Sequence, residues 1–248
     1  MFYSQARLPQ GMRVYAIGDV HGYRGLLDTL LQAIDAELAE NPPADYRIVC
    51  LGDYCDRGPD TPGVIETLIA RRAADSKLVC LKGNHDDWML TMLSDPHAVA
   101  SGWLAWGGRE TLRSYGIDHD HAGRDLDALS AVFSAALPAA HRAFLESLAL
   151  FHVQGDFLFV HAGIRPDVAI KDQAPDDLLW IREPFLGFRG SLGKVVVHGH
   201  TIHPRPMIFP NRIAIDTGVY RTGILCGAVL EGSHCRFMSA RRSGVVRH

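Results

Sequence analysis

Met12-Arg13-Val14-Tyr15-Ala16-Ile17-Gly18-Asp19-Val20-His21-Gly22 is a β-rich run that ends on an acid and an imidazole held between two glycines. Directly after it, Leu26, Leu27, Leu30, Leu31 and Ile34 recur at helical spacing until Asn41-Pro42-Pro43 stops the pattern. A strand, a polar glycine-containing loop and a helix form the repeating half of a βαβ unit. The rhythm returns with a strand at 46–51, a loop at 52–59 and a helix from about Thr61, where Pro62 occupies a tolerated first-turn position. It returns again with a strand at 77–81, the loop Gly83-Asn84-His85-Asp86 and a helix beginning near Asp86.

From Pro96 to Leu150 the rhythm gives way to a mostly helical stretch with Trp103, Trp106 and Gly107-Gly108, then a polar turn with His119, Asp120, His121 and Asp125. This stretch, about 96–150, reads as a helical cap inserted between two halves. Strands are expected again at 157–160, 194–197, 206–209, 212–215, 223–230 and 234–238, spaced closely enough to suggest antiparallel pairing. No Pro/Gly/Ser-rich linker separates the halves, so residues 1–248 read as a single α/β domain carrying the insertion.

Composition narrows the function classes. The chain has 248 residues, 47% hydrophobic and 21% charged, which excludes disorder and fibrous repeats. With 25 Lys+Arg against 28 Asp+Glu, the net charge is 25 − 28 = −3, so no broad basic field grips nucleic acid or anionic lipid. No apolar run approaches the ~20 residues that span a bilayer. The first ten residues lack the apolar stretch of a secretory signal, and a cytoplasmic location is expected. Cys50, Cys55, Cys80, Cys226 and Cys235 are odd in number and contain no CxxC pair, so they read as free thiols.

The side chains able to hold a metal fall in a pattern. Asp19 and His21, Asp53 and Asp56, Asn84 and His85, His161, and His198 and His200 all lie at or just past the C-terminal end of an expected strand. In an α/β sheet those ends share one edge, where ligands bind. Asp19 and His21 are two residues apart, so in an extended loop both point the same way. A single DxH is a weak signal, but its recurrence at successive strand ends is not. Carboxylate, imidazole and amide oxygen without thiolate suit manganese, iron or zinc in a hydrolytic site. Two such ions about 3.5–4 Å apart lower the pKa of a shared water and clamp the entering and leaving oxygens of an in-line displacement.

Gly18-Asp19-Val20-His21-Gly22, Gly52-Asp53-Tyr54-Cys55-Asp56-Arg57-Gly58, Gly83-Asn84-His85-Asp86, His161-Ala162-Gly163 and Gly199-His200-Thr201 together resemble the ordered signature of calcineurin-like metallophosphoesterases. The middle block is similar to the phosphoprotein phosphatase branch, and Asp216-Thr217-Gly218 to the strand after the last ligand in bacterial and phage serine/threonine phosphatases. The resemblance runs from about Arg13 to Leu230 and implies two mixed sheets packed face to face and flanked by helices. It also implies two divalent ions per chain, most simply Mn2+ with Fe or Zn as alternatives. One would be held by Asp19, His21 and a bridging Asp53, the second by Asp53, Asn84, His161 and His200. His85 becomes the general acid with Asp56 as its partner, and Arg57 and Arg182 the phosphate clamps. His198 becomes an outer neighbour or a packed strand-end histidine.

The resemblance implies a phosphomonoester hydrolase acting on phosphorylated protein, without a covalent phosphoenzyme. Asp86, where the protein-phosphatase branch more often has glutamate, keeps a dinucleoside polyphosphate hydrolase as the alternative substrate class. A catalytically silent metal-binding scaffold is the alternative of another class, opposed by the intact ligand set. Trp103, Trp106 and Trp180 read as packing anchors of the cap, with substrate selection at a rim as the alternative, Cys55 as buried and inert, and His119 and His121 as a solvated loop. Arg241, Arg242, Arg247 and His248 read as a short solvated basic tail.

Overall fold

The computed structural model describes residues 3–118 and 125–247. His119, Asp120, His121 and His248 lie outside the described residues. In chain order the strands are β1 (Met12–Ile17), β2 (Asp45–Cys50), β3 (Leu78–Cys80), β4 (Phe151–Gln154), β5 (Phe157–Val160), β6 (Val195–His198), β7 (Met207–Ile208), β8 (Arg212–Ala214), β9 (Leu225–Glu231), β10 (His234–Arg241) and β11 (Gly244–Arg247). They form two mixed sheets, one ordered β11-β10-β9-β1-β2-β3 and the other β4-β5-β6-β8-β7. β1, β2 and β3 run parallel, with helices α1 (Arg24–Glu40) and α2 (Thr61–Ala74) as their crossovers.

Period-two alternation assigns the layers. From β1, Val14 and Ala16 point between the sheets, where they join Phe157, Phe159, Val195 and Val197. Tyr15 and Ile17 point the other way, onto Leu27, Leu30 and Ile34 of α1. Leu158, Val160 and Val196 turn outward from the second sheet against Leu178, Ile181 and Phe185. The order is therefore helix, sheet, sheet, helix. Both faces of β1 are covered, which is why its sequence reads as a nearly continuous apolar run.

The third expected helix begins earlier than the sequence suggested. α3 spans Asn84–Ser94, with Gly83 as its cap and Asp86 accepting the Gly83 N–H at 2.9 Å. The Asn84 and His85 side chains therefore project from a rigid first turn rather than from a loop.

The antiparallel expectation for the second half also needs correction. β5, β6 and β8 pair in parallel, while β4 and β7 close the edges antiparallel. Parallel neighbours need a long crossover, and the segment between β5 and β6 supplies one containing helix α8 (Pro175–Trp180). β4, β11 and α8 carry sequence patterns too short to stand out alone.

The helical stretch comprises α4 (Pro96–Trp103), α5 (Arg109–Ser114), α6 (Leu126–Ala136) and α7 (Ala139–Glu146). Its Trp103, Leu112, Leu129, Phe133, Phe144 and Leu145 belong to the same apolar cluster as Tyr15 and Ile17. Between α4 and α5 the chain makes a wide turn over Leu104–Gly108, with Gly107 at φ 119°. That conformation favours glycine, and the Gly107 carbonyl accepts the Arg57 N–H at 3.1 Å. The turn is thereby pinned above the β2 loop. Among the described residues, no single helix is long and apolar enough to cross a membrane.

Candidate metal centre

The loops after β1, β2, β5 and β6 and the first turn of α3 converge on one edge of the two sheets. They border a cleft of about 220 Å³ lined by Asp53, Arg57, Asn84, His85, Arg182, His200, Trp88, Trp106 and Trp180. His21, Asp53, Asp56, Arg57 and His200 all adopt positive φ, between 47° and 71°. For side chains with a Cβ this conformation costs roughly 1–3 kcal/mol each, and such strain collects at functional sites.

Hydrogen bonds keep the strained loops in place. Val20 and His21 donate their N–H groups to the Asp53 carbonyl at 3.1 and 2.8 Å. Asp86 reaches back from α3 to accept the N–H groups of Asp53 and Tyr54 at 2.8 and 2.9 Å. Asp86 thus sets the Asp53 backbone and does not line the cleft. A Cβ on Gly58 would overlap the His21 carbonyl oxygen. Gly58→Ala is expected to cost about 2 kcal/mol or more and to lower the melting temperature by about 4–8 °C, readable by calorimetry. An unchanged melting temperature would show that the two loops are not locked together.

Lone pairs face one another at the centre of this edge. His21 Nδ1 is 2.9 Å from the Cys55 carbonyl and His161 Nδ1 is 3.0 Å from that of Leu51, so each Nδ1 carries the proton. Both Nε2 atoms are then acceptors. They lie 3.6 and 3.5 Å from Asp53 Oδ2 and Oδ1 respectively, so each carboxylate oxygen addresses a different imidazole. His161 Nε2 is also 2.9 Å from Asn84 Oδ1, another acceptor. Asp19 Oδ1 and His200 Nε2 are buried without a hydrogen-bond partner. Acceptors packed against acceptors are unfavourable unless a cation lies among them. Asp19, Asp53 and His161 offer ligand atoms within 4.8 Å of one another, as do His21, Asp53 and His85; Asp53 is common to both groups, although their other members divide differently from the sets that the resemblance implies. The donor set fits two divalent cations with Asp53 between them.

The electrostatics agree. Burial, then Asp216 and Asp53, push the Asp19 carboxyl well above its ordinary range. Burial lowers the basicity of His21 and His161 and takes His200 down to about 2, so these imidazoles stay neutral with lone pairs available. Burial opposes the charge of Asp53, but His85, with its backbone N–H donated to Asp53 Oδ1 at 3.0 Å, holds the carboxyl low. His85 is the exception among the imidazoles. Burial opposes its charge, but Asp53 and the hydrogen bond to Asp56 outweigh it and raise its pKa.

His85 Nδ1 lies 2.6 Å from Asp56 Oδ2, and both residues are buried. The other Asp56 oxygen accepts from Trp103 Nε1 at 3.1 Å and from Thr111 Oγ1 at 2.6 Å. Thr111 Oγ1 also accepts the Asp56 N–H at 2.8 Å. Asp56 is free for this role because the N-cap of α2 is Asp60, whose side chain accepts the Gly63 N–H at 2.9 Å. Thr111→Val leaves the buried Asp56 N–H unpaired and loosens the carboxylate. Turnover is expected to fall about ten- to hundredfold through misplacement of His85, with recovery in Thr111→Ser. Equal kcat values for Thr111→Val and the parent would remove Thr111 from this support.

Other sequence expectations fall as follows. Arg57 Nη1 and Nη2 reach His21 Nε2 at 3.0 Å and His85 Nε2 at 2.9 Å, and Tyr220 lies 4.2 Å beneath the guanidinium. Arg182 lines the same cleft as Arg57. His198 is buried edge-on against Phe185, its pKa lowered to about 3 by burial, and does not line the cleft. Cys55 is buried, and burial with Asp56 and Asp86 pushes its thiol pKa up, which disfavours the reactive thiolate.

Trp103 is a buried anchor, but Trp106 is 57% exposed at the cleft rim, so its reading as a packing residue is corrected. Trp106 sits in the wide turn that Gly107 permits, which no helical pattern announces. Sequence reasoning passed over Trp88, Thr111 and Tyr220, and noted Asp216 only as part of a motif without giving it a place in the site. Trp88 lies one turn beyond His85 on α3, a spacing that could have flagged it. Asp216 stands at a strand end like the other acids, whereas Thr111 carries no local signal.

The family model for calcineurin-like phosphoesterases matches residues 12–218. The chain belongs to the calcineurin-like phosphoesterase family. It is similar to serine/threonine-protein phosphatase 1 of Salmonella typhimurium, 28% identical over 92% of this chain and 97% of that one. It is also similar to a symmetrical bis(5'-nucleosyl)-tetraphosphatase of Methylobacillus flagellatus, 30% identical over 62% of this chain. The match spans 44% of that enzyme's length, less than half. A crystal structure bearing a provisional diadenosine-tetraphosphatase name superposes with a TM-score of 0.64, covering 96% of this chain and 99% of the other at 21% identity. That likeness concerns the fold. The calcineurin-like phosphoesterase family is one of metal-dependent hydrolases with a dinuclear divalent centre, and the ligands assembled here suit such a centre.

Proposed function

We propose that this protein is a phosphomonoesterase acting on phosphoserine and phosphothreonine in proteins. The observation that carries the reading is the size and lining of the cleft. At about 220 Å³ it is smaller than the ~300–1,000 Å³ pockets that enclose drug-sized ligands, so it accommodates a phosphoryl group and its nearest atoms while the rest of the substrate lies outside. The similarity to the Salmonella phosphatase over nearly the full length of both chains supports the same reading.

Asp19, His21 and Asp53 would hold one divalent ion, and Asp53, Asn84, His161 and His200 the other. Bound there, the ions supply an ionised water as nucleophile and neutralise phosphoryl charge. The chain's own groups do the rest. Arg57 and Arg182 present planar guanidinium groups to the phosphoryl oxygens, a bidentate match that lysine lacks. Arg57 spends its Nη donors on His21 and His85 in the present arrangement, so substrate entry transfers them to phosphate and frees His85 Nε2. Asp56 keeps the His85 imidazole oriented through Nδ1 and favours its protonated form, so that Nε2–H can be delivered to the departing oxygen.

A second reading, hydrolysis of dinucleoside polyphosphates, is favoured by the aromatic rim. Trp88 and Trp180 lie 4.6 Å apart at the cleft and Trp106 is exposed beside them, surfaces on which bases stack. Comparing kcat/KM of the manganese-loaded protein on a phosphoserine peptide and on diadenosine tetraphosphate separates the two. The proposal expects the peptide to win by more than about tenfold, or 1.4 kcal/mol. A tenfold preference for the dinucleotide would replace it with the second reading.

A further inference from the structure

Tyr220, which packs against the Arg57 guanidinium and edge-on to His21 at 5.6 Å, lines a second and larger cavity. That groove, about 620 Å³, is bordered by Tyr23, Tyr220, Arg221, Arg241, Arg242 and Ser243, and no carboxylate lines it. Arg221 also lies over the Tyr220 ring, 5.2 Å from its centroid. Arg221, Arg241 and Arg242 are exposed and, among the described residues, make no ion pair. Elsewhere on the surface Arg71, Arg142 and Arg165 are matched by Asp35, Glu146 and Asp177. Arg241 and Arg242 also border an adjoining cavity that Asp28 and Asp60 line, but the groove itself presents three arginines and no acid in a chain with a net charge of −3.

We propose that this groove is a docking subsite for an acidic stretch flanking the phosphorylated residue of a protein substrate. The inference rests on the phosphatase reading and adds a substrate preference to it. An extended peptide advances about 3.3 Å per residue, so acids a few positions from the phosphoserine can lie along the groove while the phosphoryl group occupies the cleft. Guanidinium groups pair with carboxylates through two parallel hydrogen bonds, and tyrosine rings supply apolar walls for the intervening side chains. Attraction through exposed pairs is screened by salt, which gives the groove a measurable signature.

The test uses the full chain loaded with Mn2+. It compares a phosphoserine peptide with Asp and Glu flanks, the same peptide with Asn and Gln flanks, diadenosine tetraphosphate, and p-nitrophenyl phosphate, which is too small to reach the groove. At low salt the acidic peptide should have a kcat/KM about tenfold above its neutral counterpart, expressed mainly in KM and shrinking as salt rises to about 0.5 M. The combined variant Arg221→Gln, Arg241→Gln and Arg242→Gln should lose that preference while still hydrolysing p-nitrophenyl phosphate, which also reports that it folds.

Equal use of both peptides, or a preference that survives in the variant, overturns the docking subsite and leaves the phosphatase reading standing. Hydrolysis of p-nitrophenyl phosphate with no hydrolysis of either peptide overturns the phosphatase reading itself. A variant impaired only toward diadenosine tetraphosphate assigns the groove to a nucleotide polyphosphate and overturns the acidic-peptide proposal.

Discussion

Asp53→Asn is expected to lose both bound ions and, with them, nearly all turnover. Its two carboxylate oxygens address different imidazoles, His21 at 3.6 Å and His161 at 3.5 Å, so both ligand groups depend on one side chain. An amide has a single good donor oxygen and no charge. It cannot serve both positions. Even partners one step removed from a metal are worth about 10–100-fold in affinity, so the bridging ligand should cost more than about 100-fold at each position. Metal analysis after gel filtration reads the result directly, and circular dichroism confirms the fold. Two ions retained per chain in Asp53→Asn would refute the bridge.

His85→Asn separates chemistry from ligation. Its Nδ1 is engaged by Asp56 and its Nε2 faces the cleft, where Arg57 now contacts it. The substitution should leave metal content close to that of the parent while lowering kcat by about 10²–10⁴-fold, the usual worth of a positioned general acid. The loss should be large for an alkyl phosphate, whose leaving oxygen needs a proton, and small for p-nitrophenyl phosphate, whose leaving group departs unprotonated. Equal losses on both esters would mean that His85 acts on something other than the leaving group.

Much of this site was legible because its residues sit at strand ends. The alternation of Val14 and Ala16 against Tyr15 and Ile17, repeated through the βα units, places Asp19, Asp53 and Asn84 on one edge from sequence alone. His161 and His200 follow the same logic in the second sheet. What escaped notice depends on contacts between distant segments. Thr111 and Trp103 reach Asp56 only because the Leu104–Gly108 turn folds back over the β2 loop, and nothing in their local pattern announces that return. The parallel pairing of β5, β6 and β8 was hidden because α8 is a short helix inside a long irregular crossover. Trp106 was misjudged for a related reason, since its exposure follows from the positive φ of its neighbour Gly107 and not from its own hydrophobicity.

The lone pairs of Asp19, His21, Asp53, Asn84, His161 and His200 are proposed to form one two-ion hydrolytic centre. The most direct test is to strip the purified protein with a chelator and titrate Mn2+ back while recording bound metal and phosphopeptide hydrolysis in the same samples. Saturation is expected at two ions per chain, with activity rising as the second site fills. Full hydrolysis in the stripped protein, or two bound ions with no hydrolysis of any phosphoester, would contradict it.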